Sequence, residues 1–188
     1  MHDLLEDAPD IATLKALREA EAQCRRCDLY KYATQAVPGV GPAHASLMLV
    51  GEQPGNDEDL AGEPFVGPAG RMLDRALHEA GLERRKIFVT NAVKHFKFEP
   101  RGKRRLHQRP NANEIDACRL WQDFERKLVR PKLVVALGAT AARSLLHRVV
   151  TIAKVRGTPQ TLEDGGRVLV TIHPSYLLRI REESEARG

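Results

Sequence analysis

Cysteine is scarce in this chain of 188 residues: three in all, too few to pair off completely, so a disulfide framework is not what would hold it together. Long apolar runs are lacking as well. The longest, Ser46-Leu47-Met48-Leu49-Val50, is far below the roughly 18 residues that span a bilayer. The opening MHDLLEDAPD is acidic where a secretory leader would be basic. No membrane association or secretion is therefore expected, and the chain is expected to be intracellular, in the cytoplasm. Internal repeats and low-complexity tracts are absent from the sequence. Only nine aromatic residues occur, five Phe, three Tyr and one Trp, so one that stands in a polar loop calls for a reason. Charge of one sign is not dominant either. Lys and Arg number 30 against 25 Asp and Glu, a net +5 with a pI near 9.3, which suits a polyanionic partner without requiring one. The length suits a single domain over residues 1–188.

What is present has an α/β rhythm. Ile11, Leu14, Leu17 and Ala20 recur at helical spacing, predicting an amphipathic helix over 11–24 that ends at two cysteines. Short runs rich in Val, Ile and Leu at 46–50, 86–92, 132–138 and 167–172 predict four buried parallel strands. Helical stretches at 69–80, 113–129, 139–149 and 175–183 separate or follow them, with Gly81 as a stop signal. The expected fold is a three-layer αβα sandwich around a four-stranded parallel sheet. Two segments are too long and too unusual in composition for connectors: 52–70, dense in Gly, Pro and acids, and 96–109, an inserted basic loop. Ligands of open α/β sheets bind outside the carboxyl ends of the strands, where Gly51–Gly55, Asn91–His95 and His173-Pro174-Ser175 all fall.

Each motif also has an ordinary structural reading. Gly51-Glu52-Gln53-Pro54-Gly55 is a turn with an acid, an amide and two glycines that permit close approach to a flat ligand, but it lacks the Gly-Lys-Ser/Thr of a phosphate loop. His173-Pro174-Ser175 caps a helix or offers free amides to a phosphate. Phe65 in a polar loop is a packing anchor or a stacking surface for a base. Asn91, at a strand end, carries the donor and acceptor needed to read a base edge. Cys24-x-x-Cys27, His95 and Cys118 make a set of three thiols and an imidazole that suits zinc or an iron–sulfur cluster, spacing leaving the metal open. Lys103-Arg104-Arg105-Leu106-His107 reads as a solvated charge run, a phosphate contact, or a basic loop carrying a nucleophilic His.

Read in order, Gly-Glu-Gln-Pro-Gly from Gly51, Glu-Pro-Phe-Val-Gly-Pro-Ala-Gly-Arg-Met-Leu from Glu63, Val-Thr-Asn-Ala-Val-Lys-His from Val89 and His-Pro-Ser-Tyr-Leu-Leu-Arg from His173 resemble the signature of the uracil-DNA glycosylase superfamily, in its iron–sulfur, family 4-like branch. The resemblance runs from about Cys24 to Arg179. Three departures from ordinary members, Gln53 where Ala is common, His95 where a third cluster Cys is expected, and the inserted Lys-Arg-Arg-Leu-His, resemble the UdgX type, which becomes covalently joined to uracil-containing DNA. Leu106 stands where that motif often has Ile.

The resemblance implies a [4Fe–4S] cluster, chiefly structural, on Cys24, Cys27, His95 and Cys118. It implies a uracil pocket lined by Gly51 and Gln53, in which Phe65 stacks on the base, Asn91 reads its edge and His173 bonds its O2 side. Glu52, His173 and His107 would be catalytic, His107 as the covalent nucleophile with Arg105 positioning its loop. Lys103, Arg104, Arg105, Pro174, Ser175 and Arg179 would contact DNA. The expected partner is uracil-containing DNA, single strands accepted, met by a monomer. The alternatives are a conventional multiple-turnover glycosylase of the same branch and a noncatalytic uracil-DNA binding protein.

Overall fold

In Leu47–Gly51 (β1) the period of two sends Met48 and Val50 to one side and Leu47 and Leu49 to the other, and both sides are apolar. A strand of that kind needs cover on both faces. It receives it within a computed structural model that describes residues 10–187. Apart from Asp10, the acidic opening lies outside the described residues. Phe88–Asn91 (β2), Leu133–Leu137 (β5) and Arg167–Thr171 (β7) lie parallel with β1 in one sheet of order β2-β1-β5-β7.

On one face Met48, Val50, Phe88, Val134, Ala136, Val168 and Val170 pack against Ala141, Ala142 and Leu145 of Ala139–Leu146 (α5) and Val129 of Ala112–Val129 (α4). On the other, Leu49, Val89 and Leu137 meet Phe65 and Leu73 and Leu77 of Pro68–Glu79 (α3). A third cluster joins Leu14–Ala22 (α1) to α4 through Leu17, Ile115, Trp121 and Phe124, and includes Cys24 and Cys118.

Local chemistry sets the helix ends. Thr13 accepts from the Ala16 amide at 3.1 Å to start α1. At α4, Asn111 and Glu114 cap each other's backbone reciprocally. Gly81, at φ 70°, turns the chain out of α3, and the Leu82 amide returns to the Leu77 carbonyl at 2.8 Å.

The structure corrects the expected sheet and the two expected loops. A fifth strand, Gln160–Thr161 (β6), pairs antiparallel with β7, so the sheet has five strands and its edge is not parallel. Two residues are too short to leave an alternating signature. The 52–70 segment contains a helix, Asn56–Ala61 (α2), opened by Gly55 and closed by Gly62 at φ 76°. The 96–109 segment is an antiparallel hairpin of Phe98–Arg101 (β3) and Arg104–His107 (β4), turned by Gly102 at φ 59° and Lys103. A four-residue helix, Ile152–Val155 (α6), also escapes sequence reading, and the last helix runs over Pro174–Arg187 (α7).

Candidate active site

The chain leaves β1 for β2 on one side and β5 on the other, so a crevice opens beyond the carboxyl ends of β1 and β5. A cavity of about 1220 Å³ lies there. Glu52 and Gln53 enter it from the turn after β1, Asn91 from the end of β2, Gly138 from the end of β5, and His173 and Ser175 from the end of β7 and the start of α7. The hairpin supplies His107 from the end of β4. Phe65 completes the wall, its ring centroid 5.8 Å from that of His173.

Gly51 lies behind this wall. A Cβ there would collide with Asn91 Oδ1 and the Phe65 ring, so only glycine allows those two groups to come together. Asn91 is buried and its Oδ1 has no partner among the described residues, an acceptor withheld from water beside the cavity.

Glu52 is the electrostatic centre. Its Oε1 lies 3.0 Å from His107 Nε2, and its Oε2 accepts from the Thr140 hydroxyl at 2.5 Å. Burial raises the carboxyl pKa, but the bonds from His107 and Thr140 and the charges of His107 and His173 outweigh it, and the net value lies below 4.5. The carboxylate form is the one held in place.

His173 is set in one tautomer. The Ser175 amide donates to Nδ1 at 3.1 Å, and an amide can only donate, so Nδ1 accepts and the proton of the neutral ring sits on Nε2. Ser175 Oγ, 2.8 Å away, donates to the same nitrogen. Burial lowers the ring's pKa below 6.5 and outweighs the opposing charge of Glu52, keeping the ring neutral at pH 7.

Gln53 is buried and faces the hairpin. Its amide donates to the Lys97 and Gln108 carbonyls at 3.1 and 2.9 Å and accepts from the Lys97 amide at 2.9 Å, tying the hairpin stem to the β1 turn. Arg105 is likewise engaged inside the protein. It pairs with fully buried Asp59 at 2.6 Å, donates to Asn56 Oδ1 at 2.9 Å, and lies 5.3 and 5.0 Å from the ring centroids of Phe96 and Phe98. Lys103 and Arg104 stay exposed at the hairpin turn, outside the cavity lining, while Pro174 is buried. Ser175 and Arg179 line the cavity, joined by Arg109 and Arg156, which sequence reading did not single out. Thr140 was missed too. Its signal was position, two residues past Gly138, the glycine that follows β5.

The cysteines are gathered in the cluster between α1 and α4. All three are free; Cys118 donates a hydrogen bond to Cys27, and the indole Nε1 of Trp121 donates to Cys24 Sγ at 3.1 Å. That bond from Cys118 draws the Cys27 thiol down to about 7 against the effect of burial, and the same bond, with burial, holds Cys118 well above the usual thiol range. His95 is buried with its Nδ1 unpartnered among the described residues. No group of three or more His, Cys, Asp or Glu among the described residues converges as the shell of a single metal ion. The donor types, three thiols and a desolvated imidazole nitrogen without a partner, are of the kind that would hold a sulfur-rich iron cluster.

Comparison with known proteins bears on the whole of this architecture. Residues 38–187 match the family model of the Uracil DNA glycosylase superfamily. The chain is 37% identical over 173 residues to a Type-4 uracil-DNA glycosylase of Archaeoglobus fulgidus, covering 87% of this chain and 83% of the relative. It is 36% identical over 175 residues to a Type-4 uracil-DNA glycosylase of Thermotoga maritima, covering 93% and 88%. A Type-5 uracil-DNA glycosylase of Pyrobaculum aerophilum is 31% identical over 180 residues, covering 87% and 76%.

Proposed function

Because the chain belongs to the uracil-DNA glycosylase superfamily, we propose that it excises uracil from DNA and, as a protein of the UdgX type, is then joined through His107 to C1′ of the sugar it has exposed. The observation that carries this reading is the 3.0 Å contact of His107 Nε2 with Glu52 Oε1, which sets an imidazole beside a carboxylate at the mouth of the cavity.

The chemistry follows from charge. Uracil must be turned out of the base stack, and Phe65 and Asn91 offer a stacking face and a hydrogen-bonding edge that offset that cost. The C1′–N1 bond breaks with its electron pair going to uracil, and the Nε2–H of His173 stabilises the anion at O2. The Glu52 carboxylate stabilises the positive sugar that remains. In an ordinary glycosylase, water adds to C1′. Here the lone-pair nitrogen of His107 forms the bond to C1′ instead, the proton on the other ring nitrogen passes by way of Glu52 toward solvent, and the uracil anion takes up a proton. An alkylated imidazole is a poor leaving group, so the protein turns over once.

Cys24, Cys27, His95 and Cys118 would hold a [4Fe–4S] cluster. It would supply a cross-link among the end of α1, the segment after β2 and α4 rather than a part in base release. Arg109, Arg156 and Arg179 beside the pocket, with Lys103 and Arg104 at the hairpin turn, are the charges that would follow a DNA backbone. Single strands, which need no base pair opened, would be accepted by a monomer.

The Type-4 relatives favour a second reading, conventional multiple turnover in the same pocket, with His107 only anchoring the hairpin. A denaturing gel with a labelled uracil oligonucleotide separates the two. The expected outcome is a heat- and detergent-resistant band that requires uracil, disappears in His107→Ala, and is replaced there by uracil release. Release without any band in the unaltered protein would establish the second reading.

A further inference from the structure

Phe65 has φ 55°, a left-handed conformation that a bulky aromatic residue seldom adopts. Such strain persists only where the surroundings over-determine it. They do so here through two side chains. Glu58 Oε1 accepts from the Val66 and Gly67 amides at 3.1 and 2.8 Å, just past Phe65. Arg84 in turn donates through Nη1 to the Phe65 carbonyl at 3.0 Å and through Nη2 to the Pro64 carbonyl at 2.9 Å. Arg84 is itself tied to Asp74 of α3 at 2.7 Å. Gly70 of α3 presses so close to the Phe65 carbonyl that a Cβ would overlap it. Arg84 has no part in the lining of the 1220 Å³ cavity. It lines a second one, of about 720 Å³, and Phe65 is common to both.

We propose that Arg84 is a positioning residue for base capture: its guanidinium grips the two carbonyls of the strained Pro64–Phe65 turn from outside the pocket and so fixes the Phe65 ring where an extruded uracil must stack. The proposal rests on the reading of Phe65 as the stacking face. A planar fork suits this task because it reaches two carbonyls and a carboxylate at once, which a lysine ammonium on a flexible stem does not reproduce. Stacking holds the base before and during bond cleavage alike, so its loss belongs mainly to binding.

The test is a double-mutant cycle of Arg84→Met and Phe65→Ala. Uracil release from a single-stranded uracil oligonucleotide is followed with protein in excess, and circular dichroism checks the fold of each variant. Arg84→Met is expected to raise the half-saturating protein concentration about tenfold with the maximal rate within about twofold. In the Phe65→Ala background it is expected to add less than about twofold, because its effect passes through that ring. Arg84→Lys is expected to recover part of the loss, and should Arg84→Met fail to fold, Arg84→Lys takes its place in the cycle with a smaller effect, about threefold, equally absent without the ring.

Additive losses, or an unimpaired Arg84→Met beside an impaired Phe65→Ala, would overturn the role of Arg84 and leave the stacking reading standing. Additive losses that also fade at high salt would make Arg84 a phosphate contact instead. Phe65→Ala with unaltered release would overturn the stacking reading and the proposal together.

Discussion

Glu52 shows what a single residue's surroundings decide. Its ordinary carboxylate chemistry is readable in the Gly-Glu-Gln-Pro-Gly turn, but its ionisation is set by Thr140, 88 positions away in the chain, and by His107 from the hairpin. A carboxyl with a depressed pKa is held in the charged form above its ordinary value and loses that form as pH falls through the lowered one. Thr140→Val removes one of the bonds that keep it charged. The acid limb of single-turnover uracil release is therefore expected to move to higher pH in Thr140→Val, with the rate near pH 8 changed less than about threefold. An unmoved limb would show that the Thr140 bond does not govern the carboxylate. His173 acts on Glu52 through charge alone, since its bonds are to Ser175.

At the scale of an element, the hairpin brings His107 to the site. Its basic character was legible as Lys103-Arg104-Arg105, yet its most basic-looking stretch divides by pairing register, with Arg105 directed to Asp59 and Lys103 and Arg104 left in water. The 96–109 segment looked like a loop because a polar strand with no buried face carries no alternating apolar signal. Only the tertiary setting recruits it. Gln53 binds its stem, and Asp59 with Asn56, both from α2, binds Arg105, two residues before His107. Asp59→Asn leaves the guanidinium without its counter-charge and loosens β4. Adduct formation is expected to slow about tenfold, while uracil release, whose groups lie on the sheet ends, stays within about threefold. Equal losses in both would mean that Asp59 supports the pocket as a whole.

At the scale of the molecule, the layer of α1 and α4 encloses a charged network under the cysteines. Fully buried Lys94 donates to Glu125, to the Thr90 hydroxyl and to the Asn91 carbonyl, and lies 3.9 Å from Glu21, which is also buried. Two carboxyls share one ammonium. Burial pushes the Glu21 pKa to about 8, against the attraction of Lys94. In the unfolded chain this group loses its proton near its ordinary 4.5, so between that value and about 8 the folded protein binds the extra proton, and stability falls as pH rises through this window. Glu21→Gln removes the dependence. Its thermal midpoint is expected to match the unaltered protein near pH 4.5 and to exceed it increasingly toward pH 8; parallel curves would contradict the burial argument. The same layer carries the proposed cluster. Protein purified without oxygen is expected to contain iron and acid-labile sulfide, and Cys118→Ala to lose both and fold in lower yield. Stoichiometric zinc without iron would overturn the cluster assignment. None of the helices among the described residues is long and apolar enough to cross a membrane.

The sequence by itself determined the alternation of strands and helices and the strand ends at which Glu52, Asn91 and His173 stand, because apolar periodicity and turn residues are local signals. It also carried the motifs by which the family is recognised. It did not show the antiparallel β6, the helix within 52–70 or the hairpin, whose short or polar segments have no such period. Tertiary structure alone decided that Arg105 binds Asp59, that Thr140 bonds Glu52, that His173 has its proton on Nε2 and that Arg84 stands behind Phe65. Each of these depends on which distant group can reach a given atom, and reach is a property of the packed sheet and its crevice.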